Sequence, residues 1–270
     1  MISIIIPTLN EEKFLPRLLE SLASQTQKDF EVVVVDGSSK DKTVAIAKTF
    51  AKKLPNLQVI VSDKASLPLQ RNIGAKATSG EWLIFIDADI VLFPQFIERV
   101  NQYIKTNHPS LFTAWWKPDS EKSHDAILTL LANMMLELSV VLHKPFPPGP
   151  LTAMTRTVYT RVGGYDERHA FNEDMDFGIR AHAHHIPLQI LHETLSVLSL
   201  RRLRKEGTLK VVQQYALASL PVVLFNRTLK FMPGYIMGGH LYDRKKKKIN
   251  TPALRNYEEK LKSLMKEFLE

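Results

Sequence analysis

Trp82-Leu83-Ile84-Phe85-Ile86-Asp87-Ala88-Asp89 is the stretch that decides the fold. Its apolar residues run without polar alternation, the pattern of a strand buried on both faces. The run stops at two carboxylates separated by one alanine. On an extended backbone Asp87 and Asp89 point to the same side, about 7 Å apart at their Cα atoms. At an effective dielectric near ~20 their repulsion is roughly 2–3 kcal/mol. A divalent cation with hard oxygen ligands turns that repulsion into a binding site. A solvated acidic turn after a strand is the competing reading of the same residues, and the surrounding chain has to decide.

Upstream, Met1 to Ile6 reads as a buried strand broken by Pro7-Thr8-Leu9-Asn10. Glu11 to Gln25 carries apolar residues at Phe14, Leu15, Leu18, Leu19 and Leu22, a helical period, with Asn10 as the expected N-cap. Glu31 to Val35 is a second strand ending at Asp36-Gly37-Ser38-Ser39, and Asp41 is expected to cap a second helix. Leu57 to Val61 is a third strand, and Leu67 to Thr78 a helix stopped by Ser79-Gly80. Short buried strands alternating with helices predict a parallel sheet with right-handed crossovers. Ligands of such sheets bind at the carboxyl ends of the strands. There the chain places Thr8, Asn10 and Glu11, then Asp36 and Ser39, then Asp87 and Asp89. No G-x-G-x-x-G follows the first strand and no G-x-x-x-x-G-K-[ST] occurs, which argues against a dinucleotide fold and a P-loop NTPase.

Downstream, Phe96 to Ile104 reads as a helix and Leu111 to Trp116 as a strand. Ala126 to Leu142 is strongly apolar but interrupted by Asn133 and Glu137, and short for a membrane span of about 20 residues. Pro145, Pro147, Pro148, Gly149 and Pro150 form a stiff loop before the apolar run Leu151 to Met154. Helical turns over Thr157 to Val162 lead into the turn Gly163-Gly164-Tyr165-Asp166. Asn172 is expected to cap a helix opening Glu173-Asp174-Met175-Asp176, and Leu188 to Leu191 is a last strand. Beyond it lie Arg201, Arg202, Arg204 and Lys205, an apolar stretch to Met237, the run Lys245 to Lys248 and an amphipathic segment from Leu254 to Phe268.

The chain has 270 residues, no cysteine and a formal net charge of +8. Disulfides and thiolate chemistry are thereby excluded. The positive balance points to an anionic partner. The apolar start is too short for a signal peptide, which predicts a cytoplasmic protein.

Several strings together resemble the family 2 glycosyltransferases. They are Ser3 to Glu12, Val34 to Thr43, Arg71-Asn72-Ile73-Gly74-Ala75, Gly80-Glu81 with Asp87-Ala88-Asp89, and Gly163-Gly164-Tyr165-Asp166 with Asn172-Glu173-Asp174. Their order and spacing cover about the first 205 residues. The resemblance implies a GT-A fold: an α/β, mostly parallel central sheet flanked by helices, here with a helical C-terminal extension. It implies a nucleotide-sugar donor, UDP- or GDP-linked, a Mn²⁺ or Mg²⁺ ion, and transfer with inversion. By position, Asp36 would accept from the base, with Pro7, Thr8 and Glu11 lining the base and ribose pocket and Arg71 near base or phosphate. Asp87 would lie by the ribose and the metal, and Asp89 would hold the metal. Asp174 would be the general base, with Glu173 in reserve. Residues 1–115 then form a donor half, 116–200 an acceptor and catalytic-base half, and 201–270 a basic, amphipathic C-terminal segment.

Each assignment has a plainer counterpart. Acids in the first turn of a helix gain about 0.3–1 kcal/mol from the dipole without catalysis. Asp36 can cap its own turn, and Arg71 can be a surface residue. Arg201 and Arg202 can contact a diphosphate or form a solvated or lipid-facing patch. Among His182, His184, His185 and His192, only His192 stands where an extra metal ligand is plausible. The apolar-basic mixture from Lys210 to Lys248 suits an anchor on the anionic inner membrane face, and equally an ordinary core helix beside a solvated tail. A glycan or lipid-linked acceptor would agree with the anchor. Nucleic acid is the weaker explanation of the charge, because no recognised binding motif accompanies it. A sugar nucleotidyltransferase and an inactive membrane-surface binding protein are the competing functions.

Overall fold

The computed structural model describes residues 1–144, 146–225, 227–230 and 238, without the side chains of 223 and 224. The lysine run 245–248 and the amphipathic segment 254–268 lie outside the described residues.

In chain order the elements are β1 (Ile2–Thr8), α1 (Leu15–Ala23), β2 (Phe30–Asp36), α2 (Thr43–Thr49), β3 (Leu57–Val61) and α3 (Leu67–Ala77). Next come β4 (Trp82–Ile86), β5 (Ile90–Leu92), α4 (Phe96–Asn107), β6 (Leu111–Pro118), α5 (Ser123–Val141) and β7 (Leu151–Thr155). Then follow α6 (Arg156–Val162), α7 (Glu173–Ala183), β8 (Gln189–Leu198), α8 (Arg201–Glu206) and α9 (Thr208–Phe225). The strands form one sheet in the order β3-β2-β1-β4-β7-β6-β8-β5. The pairs within β3-β2-β1-β4 are parallel, as is β6 with β8. β7 runs antiparallel to both its neighbours, and β5 is antiparallel to β8.

The unbroken apolar strands divide their side chains by the period of two. Ile4, Ile6, Val32, Val34, Ile84 and Ile86 pack with Leu18 and Leu22 of α1 and Phe96 and Ile97 of α4. Ile5, Val33, Val35, Leu83 and Phe85 face the other way, against Ala75 of α3, Val158 of α6 and Phe177 of α7. Both faces are covered, so alternation with polar residues has no place in these strands.

Local expectations are corrected at four points. The helix begins at Leu15 with no side-chain cap, not at Glu11. Asn10 does not cap it: it adopts φ 54°, and its Oδ1 accepts from the Lys40 N–H. Glu11 and Glu12 belong to that loop, laced to the loop after β2. Asp41 lies one residue before the N-cap of α2, yet still accepts from the Thr43 N–H at 2.9 Å. Asn172 stands at the N-cap of α7 in a left-handed conformation, but its amide donates to Ala218 O on α9 instead. Finally, β5 is a strand too short to announce itself by periodicity.

α5 is long and apolar enough to cross a membrane by length and composition, with a mean hydropathy of 1.3. Only 17% of that stretch is buried, and the contact with the protein is made by one face. Leu136 is fully buried, and the Asn133 amide donates to Trp116 O on β6 at 3.0 Å.

Candidate active site

The parallel register of β1 and β2 sets Pro7 beside Val35 and Thr8 beside Asp36 at the carboxyl end of the sheet. The Thr8 hydroxyl donates to Asp36 Oδ1 at 3.0 Å, and the Ser39 N–H to Asp36 Oδ2 at 2.7 Å. Asp36 is completely buried, so these donors replace its water. Gln70 on α3 closes the floor, its amide donating to both Thr8 O (2.8 Å) and Val35 O (2.7 Å).

Arg71, next on α3, points under the end of β4. Its Nη1 donates to Glu173 Oε1 at 2.9 Å, and its Nη2 to Gly149 O at 3.1 Å and Asp87 Oδ1 at 3.4 Å. The guanidinium lies 5.0 Å from the centroid of the Tyr165 ring and is 1% exposed. It is an internal cation, not a surface residue.

β4 ends at Ile86 and the chain turns at once, with the Ile90 N–H bonding Asp87 O at 3.2 Å. The extended geometry expected for Asp87-Ala88-Asp89 is therefore wrong, and β5 is the reason: it must reverse direction to pair with β8. The turn assigns the two carboxylates to different arginines. Asp87 faces Arg71. Asp89 Oδ2 faces Arg201 Nε at 2.8 Å. Arg201 also grips Glu11 with both terminal nitrogens, at 2.6 and 2.7 Å, and lies 4.2 Å over the Phe14 ring. Arg202, one residue on, reaches Glu206 at 4.0 Å in α8, and its charge also acts on Asp89.

Asp174 enters from the first turn of α7. Its Oδ2 accepts from the Gly149 N–H at 3.0 Å and its Oδ1 from the Met175 N–H at 2.7 Å. Antiparallel pairing of β7 with β4 makes this meeting possible, because it returns the start of β7 to the end of β4. Gly149 is confined there. A Cβ on it would lie 3.3 Å from Arg71 Nη2, 3.4 Å from Asp174 Oδ2 and 3.9 Å from Asp87 Oδ2.

The cleft thus gathers Glu11, Asp87, Asp89, Glu173 and Asp174 around two arginines. Burial pushes the Glu11 carboxyl up to about 7, against the pull of Arg201. Burial does the same for Asp87, to about 7, although 32% of its side chain still meets solvent on the cleft side; Arg71 opposes the shift. Asp89 is raised by burial and held back by Arg201. Asp174 is raised to about 6 by burial and then by Glu173. Hard carboxylate oxygens are the donors a divalent cation takes, and Asp87 and Asp89 supply them at one strand end, where Mn²⁺ or Mg²⁺ would have to replace the pairs with Arg71 and Arg201.

A sequence profile of glycosyl transferase family 2 matches residues 3–163. The chain belongs to glycosyl transferase family 2. It is 29% identical over 191 residues to an uncharacterized glycosyltransferase of Haemophilus influenzae, covering 66% of this chain and 60% of that one. It spans between 44% and 60% of the length of that relative and of a PGL/p-HBAD biosynthesis glycosyltransferase of Mycobacterium bovis. Among solved structures it resembles S. aureus TarS 1-349 in complex with UDP-GlcNAc, with TM-score 0.64 and 22% identity over 84% of this chain and 73% of that one. It also resembles the mannosyltransferase PcManGT of Pyrobaculum calidifontis in complex with GDP-Man and Mn2+, with TM-score 0.61 and 19% identity over 80% of this chain and 63% of that one. At these identities the structural likeness is one of fold, and it shows the GT-A architecture.

In this family-2 chain, three contributors escaped sequence reasoning. The backbone of Gly149 joins Arg71 to Asp174, Tyr165 backs Arg71, and Phe14 backs Arg201. Pro147-Pro148-Gly149 reads in sequence as a loop that shapes the acceptor mouth, Tyr165 as part of the Gly163-Gly164-Tyr165-Asp166 motif and Phe14 as a helix-face residue, and none of these readings names the contact each makes. His192 pairs with Glu137 at 3.0 Å on an exposed edge and does not reach Asp89 among the contacts of the described residues. Asp166, His169 and Asp176 are spaced to hold a cation, but Arg168 and Arg180 already bind the two acids.

Proposed function

We propose that this glycosyltransferase is metal-dependent and inverting, moving a sugar from UDP or GDP to an acceptor hydroxyl. The observation that carries the reading is one cleft at the strand ends holding Asp87 and Asp89, the buried Asp36, and Asp174. Solved proteins of the same fold bind UDP-GlcNAc in one case and GDP-Man with Mn2+ in another, which supports a nucleoside-diphosphate sugar here. Pro7, Thr8, Glu11 and Asp36 form the wall assigned to base and ribose. Asp89 and Asp87 would hold the ion, which when bound supplies positive charge to the departing diphosphate.

Asp174 takes the proton from the acceptor hydroxyl as its oxygen bonds to the anomeric carbon. The bond from that carbon to the diphosphate oxygen breaks, and its electron pair leaves with the diphosphate. A carboxyl raised to about 6 is largely ionised at neutral pH yet retains proton affinity, and two backbone N–H groups aim it. Glu173 is committed to Arg71 and acts as a positioning residue. Arg71 pairs with Asp87 and Arg201 with Asp89, so each carboxylate has its own counter-charge. The acceptor in this reading is a lipid-linked or cell-surface glycan precursor, and the protein works at the inner membrane face.

A thermal-shift panel of nucleoside diphosphates with and without Mn²⁺ tests the donor reading. A ligand at a hundredfold over its dissociation constant adds about 2.7 kcal/mol to stability. Product analysis tests the chemistry: free nucleoside diphosphate supports transfer, pyrophosphate moves the protein to the nucleotidyltransferases, and no donor turnover leaves a binding protein.

A further inference from the structure

Six large apolar residues of α5, Leu130, Leu131, Met134, Met135, Leu138 and Val141, are between 44% and 71% exposed. Their spacing places them on one stripe of the helix, about 17 Å long at 1.5 Å per residue. The opposite face is committed to the protein through Leu136, Asn133 and the Trp115 Nε1–H bond to Glu137 at 2.9 Å. Of the helix's two acids, Asp125 is buried and Glu137 is turned to Trp115 and His192. An apolar stripe of this length without an exposed charge is far from the norm for a surface helix.

We infer that α5 is a bilayer-docking helix, which lies in the interface of an anionic membrane with this stripe among the acyl chains. Three observations select lipid over a protein partner. The stripe lacks the Trp, Tyr and Arg anchors that dominate protein interfaces. Its C-terminal border is basic, with His143 and Lys144 following the helix, while at the other end the exposed Lys117 and Lys122 stand beside Asp119, which Arg204 pairs, and Glu121. The chain carries +8 overall. Cations beside a lipid-facing stripe meet anionic headgroups, each contributing attraction that salt screens. Because its other face is fastened to β6, the helix lies on the membrane and does not span it.

The docking face is continuous with the cleft. α5 runs into the proline-rich loop that delivers Gly149 to Asp174, and the His143 ring stacks 6.3 Å from His182 of α7. At the other end Arg204 of α8 pairs with Asp119 and reaches Asp125 at 3.9 Å, tying the first turn of α5 to the segment that carries Arg201. A hydroxyl on a lipid headgroup would therefore approach from the side on which the base sits. That acceptor half rests on the transferase reading. The lipid contact does not.

The chain has no cysteine, so Met134→Cys with an environment-sensitive dye gives a single reporter on the stripe of the full-length protein. Vesicles of phosphatidylcholine with phosphatidylglycerol should shift its emission to the blue, and phosphatidylcholine alone should do so less. Leu131→Gln with Met135→Gln, exposed changes that the fold tolerates, should weaken vesicle co-sedimentation at least about tenfold. The same exchange at the exposed edge position Val61 should leave it unchanged. UDP-dependent thermal shifts in solution should be the same in all variants, so failure of the docking claim and failure of the donor reading are separable. Three results overturn the proposal: co-sedimentation that the double variant retains; reporter emission already blue without vesicles, meaning the chain's own C-terminal segment covers the stripe; or a self-associated protein that the double variant converts to monomer.

Discussion

Glu173 and Asp174 are neighbours with the same charge, yet their surroundings separate their work. Glu173 is paired with Arg71, whereas both oxygens of Asp174 accept backbone N–H bonds at the cleft. Asp174→Asn should keep donor binding and lower transfer by about 10²–10⁴-fold, the usual worth of a positioned base. Single-turnover transfer beside donor titration checks this, and near wild-type transfer with an inactive Glu173→Gln would move the role to Glu173. Asp89 is the other informative residue. Arg201 holds its Oδ2 at 2.8 Å and also pairs with Glu11, so removal of the carboxylate leaves the arginine a partner. Asp89→Ala should therefore fold with little loss and lose Mn²⁺-dependent nucleotide binding. Nucleotide affinity indifferent to both the substitution and a chelator would refute the assignment.

At the scale of elements, the site depends on joints between strand ends and on what approaches them. α3 supplies two consecutive residues with opposite tasks. Gln70 ties the carbonyls ending β1 and β2, and Arg71 reaches across to α7 and the loop before β7. Gln70→Ala removes two buried donors and should cost about 1–3 kcal/mol. It should also weaken nucleotide binding, since Thr8 and Asp36 lose their common support. Chemical denaturation beside nucleotide titration measures both, and an unchanged midpoint would show that water replaces the amide. β7 matters for direction: only an antiparallel strand beside β4 brings its preceding loop to Asp87. β5 matters for reversal: it turns Asp89 away from Asp87 and toward α8.

The chain is positive overall, yet its cleft gathers more acids than arginines, and stability should report it. Glu11 and Asp87, raised by burial to about 7, and Asp174, raised to about 6, bind protons in the folded chain that the unfolded chain releases near ~4. The folded state therefore holds more protons between those values. The stabilisation is complete below the unfolded value and is lost as pH rises through about 6–7. Glu31, Asp119, Asp166 and Glu193, depressed by hydrogen bonds that outweigh their burial, act oppositely: their stabilisation is lost only as pH falls below the usual carboxylate range. Metal-free protein should melt higher near pH 5 than near pH 7.5, and Glu11→Gln with Asp174→Asn should flatten that slope; an unchanged slope would show that these groups titrate normally. Mn²⁺ should raise the melting temperature most at the higher pH, where the carboxylates are ionised. The apolar runs and their breaks sufficed to locate β1 to β4 and to set Glu11, Asp36, Asp87 and Asp89 at strand ends, because burial on both faces leaves a local mark, while Glu173 and Asp174 entered through motif order. Motif order sufficed for the family. The division of Asp87 and Asp89 between Arg71 and Arg201, the burial of Arg71, the part played by Gly149 and the exposure of α5 were decided only by tertiary structure. Each depends on partners far away in the chain, and a local pattern holds no information about which distant surface will cover it.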